Sequence, residues 1–134
     1  MFTGIVEEIG TVEAIEHGPD GSDARLRGPG GELLQVRTHD PADVVAVLAE
    51  REVRHLLVEG GPTLAAAFLR AGLDDEVHAY VAPVLLGAGP SAMADLGVTS
   101  IDGAVRLTTR SVIPLGPDVL VVATVDPHTS TEEH

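Results

Sequence analysis

The stretch Leu56-Leu57-Val58-Glu59-Gly60-Gly61-Pro62-Thr63-Leu64 changes character twice, and its reading decides the fold. The continuous apolar run His55-Leu56-Leu57-Val58 predicts a short strand buried on both faces, because such strands lack the polar alternation of a half-exposed one. Glu59 and two glycines end the run. Pro62 then fits the first position of a helix, where its missing N–H costs nothing. Leu64, Ala65, Phe68 and Leu69 form the helix's expected buried stripe, and Gly72 is its stop signal.

The same logic extends outward. Upstream, Leu33 to Val36 reads as a strand. His39-Asp40-Pro41 reads as a helix start with Asp40 as N-cap and Pro41 at the first helical position, and Val44, Val45 and Leu48 share one helical face. Downstream, Val77 to Leu86 reads as a strand with Pro83 marking a bulge or edge, and Val105–Ile113 and Val119–Val125 read as two strands joined at Pro114 to Asp118. Helical patterns between strands give β-α-β-α-β followed by an antiparallel pair, an α/β mixed sheet in which right-handed crossovers place at least two strands parallel.

Residues 1–30 read differently. Ile5–Glu16 and Ala24–Arg27 are expected to pair as a hairpin around the turn-rich stretch His17 to Asp23, and Gly28-Pro29-Gly30-Gly31 follows as a boundary or a surface turn. From Asp126 onward the residues are polar and expected to fray.

Composition narrows the chemistry. The 134 residues correspond to one domain of ordinary size, 44% hydrophobic and 22% charged, so a packed core is expected. Twenty-one acidic against eight basic residues give a net charge of -13, which argues against nucleic acid or an anionic membrane as partner. All basic residues are Arg, so lysine Schiff bases and a P-loop lysine are excluded. The absence of Cys excludes disulfides, thiolate nucleophiles and Cys-ligated zinc. No apolar run approaches the roughly 20 residues of a membrane helix, and Glu7 and Glu8 stand where a leader would be basic, so the expectation is a cytoplasmic chain.

The turn from Glu59 to Thr63 is the strongest candidate for chemistry. Two glycines let the backbone approach a ligand closely, and the free N–H groups of Gly61, Thr63 and Leu64 lie at the positive end of the helix, an arrangement suited to phosphate. The Thr63 hydroxyl adds a donor, and Glu59 sits at the carboxyl end of a strand, where α/β sheets place ligand-contacting residues. A Gly-Gly pair also serves as a plain tight connection, and Glu59 could equally cap a backbone N–H. His39, His55 and His78 show no metal-ligand spacing. Asp74-Asp75-Glu76 reads as a solvated loop, so no metal site is expected. Gly87-Ala88-Gly89-Pro90 is a second glycine-rich turn, either a plain loop or a lining of the same cleft. The residues identify no catalytic group.

The phrase Leu56 to Leu64, continuing through Phe68-Leu69-Arg70-Ala71-Gly72-Leu73, Val81 to Gly87 and Gly116-Pro117-Asp118-Val119, closely resembles the reductase domain of the bifunctional riboflavin-biosynthesis deaminase/reductase. The resemblance runs from about Glu32 to Val125. It implies a partial dihydrofolate-reductase-like mixed sheet with flanking helices, NADPH as hydride donor, and reduction of 5-amino-6-(5-phosphoribosylamino)uracil to its ribitylamino form. Carried over by motif, Gly61, Pro62, Thr63, Leu64, Ala65, Ala66 and Ala67 would hold the cofactor phosphates, and Glu59 would face the substrate. Met1 to Gly10, with Ala24-Arg25-Leu26 and Gly28-Pro29, instead resembles the amino terminus of riboflavin synthase, where residues at the positions of Gly4, Ile5 and Val6 contact a pteridine-like substrate.

The expected organisation is therefore a riboflavin-synthase-like segment over 1–30, a reductase-like α/β domain over 31–126 corresponding to the carboxyl-terminal part of its family, and a polar tail over 127–134. The first half of the reductase domain has no counterpart here, which leaves the question of catalysis open at the level of sequence. The alternatives are a non-enzymatic fusion or truncation product, covering its open sheet edge as a homodimer, and a fragment binding a flavin or pteridine through Met1 to Val6.

Overall fold

The computed structural model of the protein describes residues 9–16, 23–27, 33–36 and 38–127, and these form two compact units. The first runs through Ala71 and takes in Ala92–Leu96; the second comprises Gly72–Ser91 and the chain from Gly97.

In the first unit, β1 (Ile9–Glu16), β2 (Asp23–Arg27), β3 (Leu33–Val36) and β4 (His55–Val58) form a sheet in the order β3-β2-β1-β4. β1 and β2 pair antiparallel as the expected hairpin, with a register shift between Val12 and Ala14. β2 pairs antiparallel with β3, while β1 runs parallel to β4, Ile9 facing His55 and Val12 facing Val58. The parallel pair is thus made by the hairpin with β4, and the hairpin belongs to the same sheet as the strands beyond the glycine cluster. Ile5 to Glu8, the turn at 17–22 and residues 28–32 lie outside the described residues.

Two helices complete this unit. In α1 (Pro41–Ala49), Asp40 is the N-cap and accepts a hydrogen bond from Ala42 N at 2.9 Å. The Thr38 hydroxyl donates to Asp43 Oδ2 at 2.6 Å and accepts from Asp40 N at 3.0 Å. Capping of this kind contributes about 1 kcal/mol. Pro41, Val44 and Leu48 are buried. In α2 (Pro62–Arg70) the buried set is Leu64, Ala66 and Phe68. Ala65 and Leu69, expected in the stripe, are half-buried because the contact face is rotated toward Ala66. Burying Leu64 and Phe68 contributes roughly 1.5–3 kcal/mol each. Gly72, just past the C-cap Ala71, adopts φ +65°, the left-handed conformation that stops the helix.

β4 departs from expectation. Its residues alternate between exposed and half-buried, and Leu57 retains 40% exposure. The strand is not covered on both faces, and it lies at the edge of its sheet with β1 as its pairing partner among the described residues.

The second unit is an antiparallel sheet in the order β5-β7-β6, made of β5 (Glu76–Val81), β6 (Leu107–Leu115) and β7 (Asp118–Val125). β5 stops at Val81 and does not reach Leu86. Pro83 has no N–H for a ladder, and Val84 N instead donates to Ala82 O at 2.8 Å. β6 and β7 are joined by the two-residue turn Gly116-Pro117, with Leu115 paired to Asp118. Gly116 has φ +63°, as a tight hairpin with glycine at its first central position requires. Pro114, expected in the connection, lies within β6 opposite Val119. Leu120 and Ala123 of β7 are buried. Asp126 is tied down, its N–H donating to Arg106 O at 2.9 Å and its carboxylate accepting from the Thr108 hydroxyl at 2.8 Å. Residues 128–134 lie outside the described residues.

Candidate functional site

The two helix starts of the first unit are electrostatic opposites. The first turn of α1 is occupied by its own chain, with the Asp40 carboxylate on a backbone N–H and Asp43 among the first residues. α2 has neither feature: its N-cap is Gly61, no side chain among the described residues caps it, and its first turn carries no acidic residue. Ala65 N donates to Gly61 O at 3.2 Å, so the helical ladder begins there, ahead of which the Thr63 and Leu64 N–H groups lie at the positive end of the helix. The sequence thus forms one helix start satisfied internally and one left open to an external acceptor.

The two glycines before α2 have different reasons to be there. A Cβ on Gly60 would meet Leu64, overlapping its Cδ2 and lying 2.8 Å from its Cβ and 2.9 Å from its Cγ, so close packing against a buried leucine forbids a side chain. A Cβ on Gly61 would meet nothing within 4 Å. Gly61 has φ -69° and ψ 177°, an extended backbone that any residue adopts. Neither packing nor backbone conformation requires glycine at 61, and the space its missing side chain leaves adjoins the open helix start.

The expected site residues divide by burial. Glu59, Gly61, Pro62 and Thr63 are exposed, so their polar groups can face a ligand. Leu64 and Ala66 are buried, while Ala65 and Ala67 are half-buried. The Leu64 side chain is therefore a core group, and its backbone N–H is what remains for a ligand.

One neighbour of this turn had no signal in the sequence. Ala94 N donates to Pro62 O at 3.2 Å, and Arg70 at the far end of α2 donates to Asp95 O at 2.6 Å. The segment Ala92–Leu96 is thus fastened alongside α2, its register fixed by backbone carbonyls that no residue pattern encodes.

The remaining candidates belong to the second unit. Gly87, with φ +76°, belongs to the second unit. His78 contacts Glu76 at 2.5 Å, two residues away on the same face of β5, so this histidine does have a carboxylate partner. Asp74 is not simply solvated. Its Oδ2 is enclosed without a hydrogen-bond partner, and burial, followed by the neighbouring Asp75 charge, raises its pKa above the ordinary carboxylate value. Among the described residues no group of three or more His, Cys, Asp or Glu could hold a metal ion, and no helix is long and apolar enough to cross a membrane.

Comparison with known proteins places these features in a family. The RibD C-terminal domain family matches residues 12–121. The match begins inside β1, earlier than the start near Glu32 expected from sequence, in keeping with the hydrogen bonding of the hairpin into the sheet that holds β4. The riboflavin biosynthesis protein RibD of Mycobacterium tuberculosis is 44% identical over 99 residues, covering 74% of this chain and 29% of that protein. RibD of Escherichia coli is 38% identical over 73 residues, 54% of this chain and 20% of that protein. Among solved structures, Acinetobacter baumannii RibD superposes with a TM-score of 0.63 at 29% identity, over 68% of this chain and 26% of that one. A pyrimidine reductase-like protein from Corynebacterium diphtheriae, at 19% identity and a TM-score of 0.57, shares the fold over 66% of this chain and 36% of its own. This chain therefore spans about a third or less of the length of each of these relatives.

Proposed function

Because the chain belongs to the RibD C-terminal domain family, we propose that it serves riboflavin biosynthesis in the NADPH-dependent reduction of 5-amino-6-(5-phosphoribosylamino)uracil to the ribitylamino form. The observation that carries this reading is the uncapped start of α2 behind Gly60-Gly61, with room where the Gly61 side chain would be.

That cradle fits a cofactor phosphate. The Thr63 and Leu64 N–H groups and the Thr63 hydroxyl are donors, and each charge-assisted hydrogen bond contributes roughly 1.5–3 kcal/mol. The net charge of -13 does not forbid an anion, since surface carboxylates are screened beyond about 8 Å at physiological salt. When bound, NADPH supplies the hydride that converts the ribosyl to the ribityl group. Gly61 and Pro62 shape the approach of the backbone, Leu64 and Ala66 anchor the helix in the core, and Ala65 and Ala67 line its half-buried flanks. Glu59, exposed at the carboxyl end of β4, is the group available to orient the substrate. A cytoplasmic location and a small-molecule substrate belong to the same reading.

Catalysis requires the reacting atoms to be held at near-attack distance, an effect worth roughly 7–11 kcal/mol in favourable cases. A second reading, a non-enzymatic module that buries its open surface as a homodimer, is favoured by the exposure of Val84, Leu85 and Leu86 at 63%, 100% and 82%. Titration with NADPH, followed by nicotinamide fluorescence, tests the cofactor site; turnover of the phosphoribosylaminopyrimidine with NADPH tests the reaction. Saturable binding in the micromolar range is expected, and no saturation at millimolar cofactor refutes the site.

A further inference from the structure

The five residues Ala92–Leu96 belong to the first unit, although Gly72–Ser91 before them and the chain from Gly97 after them belong to the second. Hydrogen bonds from both ends of α2 hold this strap. Ala94 N donates to Pro62 O at 3.2 Å in the first turn of the helix, and Arg70 Nη1 donates to Asp95 O at 2.6 Å from its last residue. Pro62, Ala66 and Arg70 follow at intervals of four and share one helix face, whose middle residue, Ala66, is fully buried. Helical side chains lean toward the N-terminus, so the Arg70 guanidinium reaches back along this face to the strap. Met93, Ala94 and Leu96 are half-buried, and Gly97 takes φ +74° as the chain leaves the helix.

The Ala94 hydrogen bond falls on a particular peptide. The Pro62 carbonyl and the Thr63 N–H are the two ends of one planar group, and the Thr63 N–H is a donor at the open start of α2. A carbonyl oxygen has two lone pairs, so Pro62 O can serve the strap as well as the helical ladder. The strap therefore takes up an acceptor and leaves the donors of the helix start for a ligand. A donor on the carbonyl also fixes the tilt of the peptide plane and polarises its N–H, since hydrogen bonds in a chain strengthen one another.

We infer, on the reading of the α2 start as a cofactor-phosphate site, that Arg70 is a positioning residue for it. By holding the strap at Asp95 O, Arg70 keeps Ala94 N on Pro62 O and so sets the direction and strength of the Thr63 N–H toward the phosphate. A positive charge in the last turn also favours the helix dipole, but that effect needs no strap and would persist without the Ala94 N–H. Binding and strap closure are linked reciprocally: the factor by which closure favours NADPH is the factor by which NADPH favours closure.

The test combines nicotinamide fluorescence titration with amide exchange followed by NMR on the full chain. Saturating NADPH should slow exchange at Ala94 by at least about threefold in the parent. Arg70→Ala should speed Ala94 exchange without NADPH and raise the Kd by at least about threefold, with the far-UV spectrum unchanged. Ala94→Pro, which removes the N–H, should raise the Kd by a similar factor, and adding Arg70→Ala to it should raise the Kd no further, because Arg70 acts through that N–H. Parental binding with Ala94 exchange unaltered overturns the proposal, as does a Kd for Arg70→Ala within about 1.5-fold of the parent. Additive effects of the two substitutions overturn it too, and assign Arg70 to the helix dipole alone. If Ala94→Pro does not fold, the parent and Arg70→Ala measurements decide. An absence of saturable binding to the parent defeats the cofactor reading itself, and the positioning role with it.

Discussion

Replacing Gly61 by Asp separates what the start of α2 does for the fold from what it does for a ligand. The backbone at 61 accepts any residue, and a new Cβ meets nothing within 4 Å, so Gly61→Asp introduces no strain. An aspartate N-cap can accept from the Thr63 or Leu64 N–H, as Asp40 does from Ala42 at the start of α1. The gain is a few tenths of a kcal/mol over glycine from the cap and about 0.3–1 kcal/mol from the helix dipole. For a cooperative unit of 60–100 residues this raises Tm by roughly 2–10 °C. The same carboxylate removes a phosphate donor, a loss of at least about 1.5 kcal/mol, and adds a negative charge near the phosphate, at least about 1 kcal/mol at 4 Å. The floor is thus about 2.5 kcal/mol, or roughly 70-fold in Kd. Nicotinamide fluorescence titration at 150 mM salt, beside a thermal melt of each protein without cofactor, reads both quantities. A variant that melts higher and still binds NADPH within threefold of the parent refutes the phosphate cradle.

Other substitutions test the surroundings. Gly60→Ala drives a methyl into the buried Leu64 and should cost about 1–3 kcal/mol, read as a lower midpoint in urea with little change in m-value. Asp40→Ala removes the α1 cap and should cost about 0.5–2 kcal/mol while leaving NADPH affinity within twofold, as binding beside the melt will show. Phe68→Ala empties the largest buried side chain of α2 and should cost about 3–5 kcal/mol, with loss of the cooperative transition as the outcome at the upper end. Asp74 has a raised folded-state pKa, so it binds more protons folded than unfolded. Stability is therefore lost as pH rises from the ordinary carboxylate range through the raised value. Asp74→Asn should flatten that segment of the pH–Tm curve, and an unchanged slope would show that other groups set it.

What could be read from the residues was governed by local chemistry. Asp40 and Pro41 mark the start of α1 because one carboxylate and one fixed φ act within a single turn, and both lie where expected. Gly72 and Gly116 adopt the positive φ that stopping a helix and closing a hairpin demand. Structure and expectation differ where the determinant lies in another part of the chain. The apolar run at β4 suggests cover on both faces, and nothing in four residues can reveal that the strand ends up at a sheet edge. Val84, Leu85 and Leu86 are apolar enough to extend a strand, yet Pro83 breaks the ladder and β5 ends at Val81. At the site, the Gly-Gly pair was visible, but its division of labour was not. That Gly60 is held by Leu64 and Gly61 by nothing is a matter of side-chain placement.

The pairing of β1 with β4 alters the meaning of the boundary suggested by the sequence. Kinship of 1–30 with a different enzyme and of the remainder with the reductase family would predict two pieces meeting near the glycine cluster. Hydrogen bonding links the two sides of that cluster: β1 lies parallel to β4 and β2 joins β1 to β3, while the compact units part at Ala71 and Gly72. A parallel neighbour restrains β4, whose carboxyl end carries Glu59 and the glycine turn, so the hairpin supports the candidate site through its backbone ladder. A segment can enter a fold through its backbone alone, since a ladder requires only N–H and C=O groups in register. The ancestry of the hairpin and its structural role are separate properties, and the second bears on whether the α2 start is rigid enough to bind a phosphate. A disruption of the β1–β4 ladder, such as Thr11→Pro opposite Leu57, should therefore weaken NADPH binding along with stability, whereas Asp40→Ala lowers stability alone.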